Sequence, residues 1–307
     1  NRNKQKTHNM LAIIIVNYRN EEQTIRFINK ELVKITTDKK IVIVNNAATL
    51  NSNQKFINNF KCQLITEISN TVNKKDNIYL ISSSKNLGFA QGNNLGVKFI
   101  QEHFDTKFIL FTNNDIHFID NNVVETLIEK LETLPDVGII GPKIIGLSGE
   151  LQSPEPYIPF LKRYVWIYLS TPFLSRKKKK EIFKLDYSQK AKEGYHYKIM
   201  GSFFIVRTAD FIKCGMMDPN TFLYAEEVIL TERMKKIHKK VYYYPKVSVL
   251  HEHGTTTKKN LGTKGINMNL LKSETYYYKK YMNIPSWEIY IGTLIYRTIL
   301  FIKNKIR

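Results

Sequence analysis

The chain has 307 residues, and with 43% hydrophobic and 24% charged residues it has the composition of a globular protein with a sizeable core. The formal net charge of +20 is unusual, and a field of that sign attracts polyanions such as nucleic acid, an anionic membrane face or phosphorylated substrates. The two cysteines, Cys62 and Cys214, argue against a disulfide framework and a zinc site, and they fit a reducing cytosol.

The N-terminal segment has some features of a signal peptide, because basic residues precede the apolar run at 10–16. The run is at the short limit for such a peptide, and no small-residue cleavage site follows it. We therefore predict a first core strand here. No stretch of the sequence reaches the roughly 20 apolar residues that a membrane-spanning helix needs.

The first half of the chain alternates between strand-like and helix-like patterns. The predicted strands are residues 11–16, 40–44, 78–81 and 108–112. The predicted helices are residues 21–33, 92–103 and 122–134. Strands that alternate with helices indicate βαβ units, and hence an α/β fold with a parallel sheet and right-handed crossovers.

The second half is less regular. Residues 138–145 predict a short strand with a turn inside it, and residues 150–197 predict an insertion outside the sheet core, with a basic run at 176–180. A strand follows at 199–206, and a helix begins near Thr208. Two short strands are predicted around Pro245, at 241–244 and 247–250, and most of the sequence from 265 to 307 predicts helix.

Polar residues follow each apolar strand of the first half. They are, in chain order, Asn17 with Tyr18, Asn45 with Asn46, Asn86 to Gly88, and Asn113 to Asp115. Because ligands bind at the carboxyl edge of open α/β sheets, four such endings in register predict a polar rim that suits a nucleotide. Oxygen atoms of Asp115 and Asn113 suit Mg²⁺ or Mn²⁺ against a diphosphate, while the same residues also favour an ordinary turn.

Three further patterns carry candidate chemistry. Gly88 and Gly92 belong to a four-residue glycine spacing that is typical of a phosphate-binding loop, with a helix start packed through small residues as the alternative. Glu226 and Glu227 point in different directions on a helix, so that one could position a hydroxyl and the other take its proton; the alternative is a solvated helix start. His251 shares a strand face with the histidine two residues later, a pattern whose default interpretation is structural.

Taken in order, these motifs resemble those of the inverting family 2 glycosyltransferases of the GT-A fold, especially bacterial rhamnosyltransferase-like members. The resemblance runs from Leu11 to Thr257. It is carried by residues 16–18, 42–48, 86–94, 112–115, 201–207 and 217–227, and by His251 with Gly254. It implies a Rossmann-like, mixed but mostly parallel sheet flanked by helices, with a C-terminal helical extension.

The resemblance also implies residue roles. Asp115 stands in the position of the family's DxD-like motif and would hold a divalent cation, Mn²⁺ or Mg²⁺, with Asn113 and His251. Glu227 would be the general base that deprotonates the acceptor hydroxyl, with Glu226 beside it in the catalytic pair. The residues implied in binding the nucleotide sugar are Asn17, Tyr18, Asn45, Asn46, Asn86, Gly88, Gly92, Asn93 and Asn114.

Three positions depart from the family pattern. Asn45 stands where the second strand usually ends in Asp, so that an amide replaces a charge. Glu227 stands where the base is usually Asp, and the longer side chain changes its placement. Ile229 stands where the pattern has a second acid. These departures leave altered donor choice or weak activity open.

The resemblance divides the chain into a glycosyltransferase domain at 1–258, with a nucleotide-binding half at 1–120 and an acceptor half at 121–258, and a helical segment at 259–307. The implied donor is a UDP- or dTDP-sugar, and the implied acceptor is a cell-surface glycan or a lipid-linked saccharide. We expect a cytoplasmic enzyme. The aromatic and basic stretch at 160–180 and the apolar residues 287–302 predict contact with an anionic inner membrane leaflet, or packing on the core or on a partner such as a second copy.

Other functions are open on the sequence alone. A sugar nucleotidyltransferase would need a Gly-rich loop with Arg and Lys after the first strand, where this chain has Asn17 and Tyr18. A nucleic-acid-binding protein would need a helix-turn-helix or an RNP aromatic pair, and neither pattern is found, so we expect no nucleic-acid partner. An inactive family member that acts as an assembly partner is the third alternative, on the strength of Asn45 and Ile229.

Overall fold

The computed structural model describes residues 10–66, 72–170, 187–252 and 255–306. The strands of these residues are β1 (Leu11–Tyr18), β2 (Lys39–Asn46), β3 (Gln63–Ile65), β4 (Ile78–Ser83), β5 (Phe108–Thr112), β6 (Ile116–Phe118), β7 (Val137–Gly146), β8 (Gly194–His196), β9 (Phe203–Arg207) and β10 (Lys240–His251). They form a ten-stranded mixed sheet in the order β3-β4-β2-β1-β5-β9-β7-β10-β6, with β8 beside β10.

The described α-helices are α1 (Glu21–Lys30), α2 (Leu50–Phe60), α3 (Gly88–His103), α4 (Val123–Glu132), α5 (Ile167–Ser170), α6 (Tyr187–Lys190), α7 (Thr208–Lys213), α8 (Glu226–Lys236), α9 (Thr255–Lys280) and α10 (Ser286–Ile306). Side chains of β1 alternate between two apolar layers, so that Leu11 and Ile13 belong to one and Ala12 and Ile14 to the other. Both faces of the sheet are therefore covered, and the predicted mixed α/β fold with a mostly parallel sheet is confirmed.

The strands of the first half share one direction and one edge. β1 pairs in parallel with β2 and with β5, and β2 pairs in parallel with β4. Asn17 lies opposite Asn45, and Asn45 lies opposite Ser82. The carboxyl ends of these strands thus meet along one edge, and the predicted register is confirmed for the polar endings of β1 and β2.

Two predictions of interrupted strands were wrong. β7 is continuous through Pro142. It pairs with β10 along its length but with β9 only at Ile139 and Ile140, so at Pro142 the strand has a partner on one side only, where a proline is tolerated. β10 is also one strand, and a shift of register between Tyr244 and Ser248 accommodates Pro245. Helix α3 begins at Gly88, four residues before its predicted start, while α2, β3, β6 and β8 were not predicted.

Helices α9 and α10 pack on the rest of the chain through a third apolar cluster. Its buried members include Phe160, Ile229 from α8, Tyr277 from α9 and Tyr296 from α10. The predicted helical character of the C-terminal segment is confirmed, but the proposed boundary at 258/259 falls inside α9. None of the helices in the described part of the chain is long and apolar enough to cross a bilayer. The basic run at 176–180 and residues 253–254 lie outside the described residues.

Candidate active site

The ends of β1 and β2 are joined by side-chain hydrogen bonds. The Asn17 amide nitrogen donates to Oδ1 of Asn45 at 2.8 Å, and the Thr24 hydroxyl donates to Oδ1 of Asn17 at 2.8 Å. Nδ2 of Asn45 in turn donates to Oδ1 of Asn53 at 2.8 Å and to the Ser52 hydroxyl at 2.9 Å. Asn45 therefore acts both as acceptor and as donor within the protein, which a carboxylate at this position could not do.

Asn46 offers one polar atom that the protein does not use. Its Nδ2 donates to the Gly88 carbonyl at 3.1 Å, whereas its Oδ1 is buried without a hydrogen-bond partner. A buried acceptor without a partner is costly, so this atom is a candidate contact for a donor group of a ligand. Tyr18 ends β1 and lies opposite Asn46 in the pairing of β1 with β2. It is half-buried, with the Arg19 guanidinium 5.3 Å from its ring centre.

The predicted glycine loop is the first part of helix α3. Gly88 has a φ of +73°, and a Cβ there would lie 2.2 Å from the Phe222 carbonyl oxygen, so only glycine fits. The Asn86 side chain accepts from the Gly88 N–H at 3.0 Å, and Asn93 donates to the Phe89 carbonyl at 3.0 Å. The segment has the alternative structure that the sequence left open, a helix start packed through small residues.

Gly92 packs closely on the sheet, since a Cβ there would lie 3.1 Å from the methyl groups of Val16. Phosphate binding by Gly88, Gly92 and Asn93 stays a prediction. Asn94, which was not a candidate, holds the Met217 backbone with both amide atoms, at 2.8 and 3.1 Å. Asn93 and Asn94 are adjacent residues of the same type, so the sequence alone does not show which of them contacts a ligand and which has this structural role.

Asp115 and His251 come together, as predicted. Nε2 of His251 lies 3.3 Å from Oδ1 of Asp115, and the side chain of His251 is only 3% exposed. The backbone N–H of Asn113 donates to the Ser202 carbonyl at 2.9 Å, and the Asn114 side chain donates to the Thr24 hydroxyl at 2.7 Å. Antiparallel pairing of β6 with β10 explains the approach, because His251 lies opposite Ile116, the residue after Asp115.

The hydrogen bonds of Gln152 fix the orientation of the histidine ring. The Gln152 amide nitrogen donates to Glu150 at 3.1 Å, so its carbonyl oxygen faces Nδ1 of His251 at 2.7 Å. This contact occupies Nδ1, and the other ring nitrogen, Nε2, is the one that faces Asp115. Oδ1 of Asp115 is itself buried without a hydrogen-bond partner. Nε2 of His251 and Oδ1 of Asp115 thus face each other at 3.3 Å, an arrangement that a shared proton or a shared cation would stabilise.

This donor set fits a divalent cation that also binds a ligand. The described residues contain no cluster of three or more His, Cys, Asp or Glu side chains able to hold a metal. Mg²⁺ bound to a diphosphate typically takes only one or two carboxylates, together with phosphate and water oxygens. Asp115 and His251 suit such an open site, and Asn113 as a further ligand stays a prediction.

Glu227 is connected to the surroundings of this pair by backbone hydrogen bonds. Its Oε1 accepts from the Gly201 N–H at 3.0 Å, and the next residue, Ser202, accepts from Asn113. On the other side, the Ser153 hydroxyl accepts from the Met200 N–H at 3.2 Å, and Ser153 follows Gln152, the partner of His251. The segment that enters β9 therefore contacts Glu227 on one side. On the other side it contacts Asn113 and Ser153, which lie next in the chain to the surroundings of the predicted metal pair.

Glu226 and Glu227 differ sharply in environment. Glu226 is 5% exposed, and its Oε1 has no hydrogen-bond partner. Burial and, next, the charge of Glu227 raise the pKa of Glu226 to about 8. Tyr224 and Ala225, just before them, have φ values of +73° and +66°, a strained turn for residues other than glycine. The turn directs the two acids differently, and Glu227 faces the adjacent cavity.

That cavity, called here the tyrosine pocket, has a volume of about 260 Å³. Its lining includes Glu227 and five tyrosines, Tyr157, Tyr197, Tyr224, Tyr277 and Tyr278, with Lys198, Arg163, Glu155 and Glu274. Lys198 pairs with Glu155 at 3.1 Å, and Arg163 pairs with Glu274 at 2.6 Å. The walls come from the segment near residue 157, from α8 and from α9. No pattern in the sequence predicts that these distant segments lie together.

Asp218 fixes the pocket wall in place. Its buried carboxylate accepts from the hydroxyls of Tyr276 and Tyr281 in and after α9, at 2.8 and 2.6 Å, and pairs with Arg233 of α8 at 3.2 Å. Burial would raise the pKa of Asp218, but hydrogen bonds led by those from Tyr281 and Asn220 outweigh it and lower that pKa. The run of three tyrosines at 276–278 was the sequence feature that could have pointed to these contacts, but we predicted only a helix there.

The sequence is similar to those of proteins of known family. The model of the family described as glycosyl transferase family 2 matches residues 13–191. The low-salt glycan biosynthesis hexosyltransferase Agl10 of Haloferax volcanii is 23% identical over 228 residues, which cover 74% of this chain and 62% of that protein. The N-acetylglucosaminyl-diphospho-decaprenol L-rhamnosyltransferase of Mycobacterium tuberculosis is 22% identical over 193 residues, which cover 61% of this chain and 62% of that protein.

The chain thus spans about 62% of the length of these two relatives. Among solved structures, the fold is similar to that of mannosyltransferase PcManGT from Pyrobaculum calidifontis in complex with GDP-Man and Mn²⁺. The TM-score is 0.57 at 9% identity, and the match covers 93% of this chain and 73% of that one. The fold is accordingly that of the GT-A glycosyltransferases. Because the family model matches more than half of the chain, the chain belongs to glycosyl transferase family 2.

Proposed function

We propose that the chain is an inverting, divalent-cation-dependent glycosyltransferase. It would move a sugar, with rhamnose as one candidate, from a UDP- or dTDP-sugar to a hydroxyl of a cell-surface glycan or a lipid-linked saccharide. One observation carries the proposal: Gly201 bonds to Glu227, which faces a pocket, while the next residue, Ser202, bonds to Asn113, two residues before the Asp115 that pairs with His251. The printed names of the two relatives, a hexosyltransferase and a rhamnosyltransferase, support the same reaction class.

Each residue has a defined task in this proposal. Glu227 accepts the proton of the acceptor hydroxyl while the oxygen of that hydroxyl bonds to the anomeric carbon, and the bond from that carbon to the diphosphate breaks. The hydrogen bond from the Gly201 N–H orients Glu227. Asp115 and His251 would hold Mn²⁺ or Mg²⁺, which when bound supplies positive charge to the leaving diphosphate. The free Oδ1 of Asn46 would accept from the nucleoside.

The tyrosine pocket suits the acceptor. Its cationic side chains, Lys198 and Arg163, are already paired with carboxylates, which favours a neutral ligand over an anionic one. Tyrosine rings offer flat apolar surfaces with hydroxyls at their rims, which suits a sugar ring. A volume of about 260 Å³ lies just below the usual range of small-molecule pockets, so we infer that one sugar ring is bound there.

The departures at Asn45 and Ile229 do not favour an inactive protein. Asn45 is required as a hydrogen-bond donor to Asn53, and Ile229 is fully buried in the cluster that holds the C-terminal helices. Both positions have a structural use that explains the change of residue. The two free cysteines, Cys62 and Cys214, accord with a reducing compartment, and we propose a cytoplasmic location.

The test is release of nucleoside diphosphate from a panel of nucleotide sugars, with Mn²⁺ or Mg²⁺ and with saccharide acceptors. We expect Glu227→Gln to lower turnover by about 10²- to 10⁴-fold, since it removes the base but keeps the acceptor atom for the Gly201 N–H. Asp115→Ala should lower turnover by about 10²-fold or more and weaken Mn²⁺ binding, followed by paramagnetic resonance.

Exposed carboxylates supply matched controls. Glu129→Gln and Asp105→Ala, both at exposed positions, should leave turnover unchanged. Thermal melts would establish that all four variants fold. If the wild type turns over a donor and both Glu227→Gln and Asp115→Ala keep that rate, the assigned roles are wrong.

A further inference from the structure

Helix α10 exposes an apolar stripe along its length. The side chains of Trp287, Tyr290, Leu294 and Phe301 are 66%, 68%, 52% and 60% exposed. Their spacing of three, four and seven residues places them on one helical face. Ile291 and Ile302 are exposed beside them, and Arg297 is the only charged residue among the exposed, described positions of this helix.

The orientation of α10 is set by packing on its other face. Gly292 lies against Phe160, so that a Cβ there would be 2.7 Å from the ring, and Tyr296 is buried beside Tyr164. The stripe therefore points away from the third apolar cluster. The π-helix Lys162–Trp166 and the residues around it, which pack against α10, add further exposed apolar side chains, namely Leu161, Trp166 and Leu169.

The two C-terminal helices are strongly basic. The sequence from 255 to 307 contains ten basic and two acidic residues. The charged residues that α9 exposes between 265 and 280 are all lysines, namely Lys272, Lys279 and Lys280. One of the two acids, Glu274, is paired with Arg163. An apolar stripe with tryptophan and tyrosine, carried by a basic pair of helices, complements an anionic lipid surface.

We propose that the surface formed by the exposed residues of α10 with Leu161, Trp166 and Leu169, called here the apolar face, docks on an anionic lipid bilayer. The helix would lie in the plane of the interface with its apolar side chains among the headgroups and upper acyl chains. The tyrosine pocket lies on the same helical unit, since α9 forms part of its wall. Docking would keep the pocket at the membrane, where a lipid-linked saccharide is presented; this consequence rests on the proposed function, but the binding itself does not.

The experiment is cosedimentation of the purified chain with vesicles of phosphatidylcholine alone, or of an equal mixture of phosphatidylcholine and phosphatidylglycerol. We expect binding to the anionic vesicles at low salt and weaker binding to neutral vesicles or at high salt. Combining Ile291→Ser, Leu294→Ser and Phe301→Ser should lower the partition coefficient at least about tenfold. Lys272→Glu with Lys279→Glu should weaken binding to anionic vesicles only.

A matched control changes apolar residues that are equally exposed elsewhere. Val33→Ser, Leu50→Ser and Leu147→Ser, at positions 66%, 92% and 69% exposed, should leave vesicle binding unchanged. Circular dichroism melts would verify folding. Nucleoside diphosphate release with a soluble acceptor should persist in the triple variant of α10, so docking and catalysis are judged separately.

Two results would overturn the proposal. The first is a wild-type chain that stays in the supernatant with anionic vesicles at low salt. The second is a wild-type dimer, by light scattering, that the α10 variant converts to a monomer without any change in vesicle binding. The second result would assign the apolar face to a second copy of the chain.

Discussion

The two sides of the candidate site, the proposed donor side and the proposed acceptor side, are built in different ways. On the donor side, side chains at the ends of neighbouring parallel strands bond directly to one another, as Asn17 does to Asn45. On the acceptor side, the tyrosine pocket is assembled from segments far apart in sequence, such as Tyr157 and Tyr277. The pairing of strands positions the donor-side residues, whereas packing of the C-terminal helices positions the residues of the tyrosine pocket.

The difference implies different sensitivities. A donor-side residue should affect its immediate hydrogen-bond partners, because the sheet behind it is held by many backbone bonds. An acceptor-side residue should affect the docking of α9 and α10 as a whole, because one apolar cluster holds both helices. Substitutions that restore the usual family residue on each side test this contrast directly.

The largest effect is expected for Ile229→Asp. Ile229 is fully buried in the cluster that holds α9 and α10, so a carboxylate there would be an unpaired buried charge. We expect a loss of about 3 kcal/mol or more in the free energy of unfolding, with the C-terminal helices released first. Hydrogen exchange resolved by segment would measure this, and exchange in α9 and α10 should rise most.

Two control variants separate the effect of the introduced charge from the effect of changing a residue at this position. Ile229→Val removes one methylene and should cost about 1 kcal/mol. Val33→Asp, at a position that is 66% exposed and outside this cluster, should cost less than about 0.5 kcal/mol. An Ile229→Asp variant as stable as the wild type would show that an acid is tolerated here and that the cluster does not hold the helices.

An intermediate effect is expected for Asn45→Asp on the donor side. The change would replace the Nδ2 donor by an oxygen that faces Oδ1 of Asn53, so two acceptors would meet at the present 2.8 Å contact. Losing this buried bond should lower stability by about 1–3 kcal/mol, measured by urea denaturation.

The effect of Asn45→Asp should stay local. Exchange protection in α9 and α10 should not change, in contrast to Ile229→Asp. Asn58→Asp, on the next turn of the helix that carries Asn53 and not part of this network, is the matched control. If Asn45→Asp were more stable than the wild type, its hydrogen bonds would not explain why this chain has Asn45 where the family usually has Asp.

The same contrast explains what the sequence could predict. The strand endings at Asn17, Asn45 and Asp115 were visible because each follows an apolar run, and parallel pairing then aligns them. His251 could be assigned to the Asp115 pair only through the family resemblance. The roles of Tyr157, Tyr277 and Asp218 depend on contacts between distant segments, and a tyrosine or aspartate on a helix carries no local pattern that specifies such a contact.

The last effect concerns the two adjacent acids, and it depends on pH. The pKa of Glu226 rises from 4.5 to about 8 on folding, so the folded chain holds this proton more tightly than the unfolded chain does. Stability contributed by the bound proton is therefore present below pH 4.5 and is lost as the pH rises through that interval. Glu226→Gln keeps the shape without the titration, and we expect it to be more stable by about 1 kcal/mol or more above pH 8, with no gain near pH 4.

Activity measurements on Glu226→Gln complete the comparison. Glu226 is buried and does not line the tyrosine pocket, so this variant should keep most of its nucleoside diphosphate release while Glu227→Gln loses it. Urea denaturation near pH 4 and above pH 8, with Glu129→Gln as the exposed control, measures the free energy of unfolding. If Glu226→Gln were as inactive as Glu227→Gln and its stability followed pH like the wild type, the buried acid would be part of the reaction. The proton transfer would then have to be assigned to the pair rather than to the group that faces the pocket.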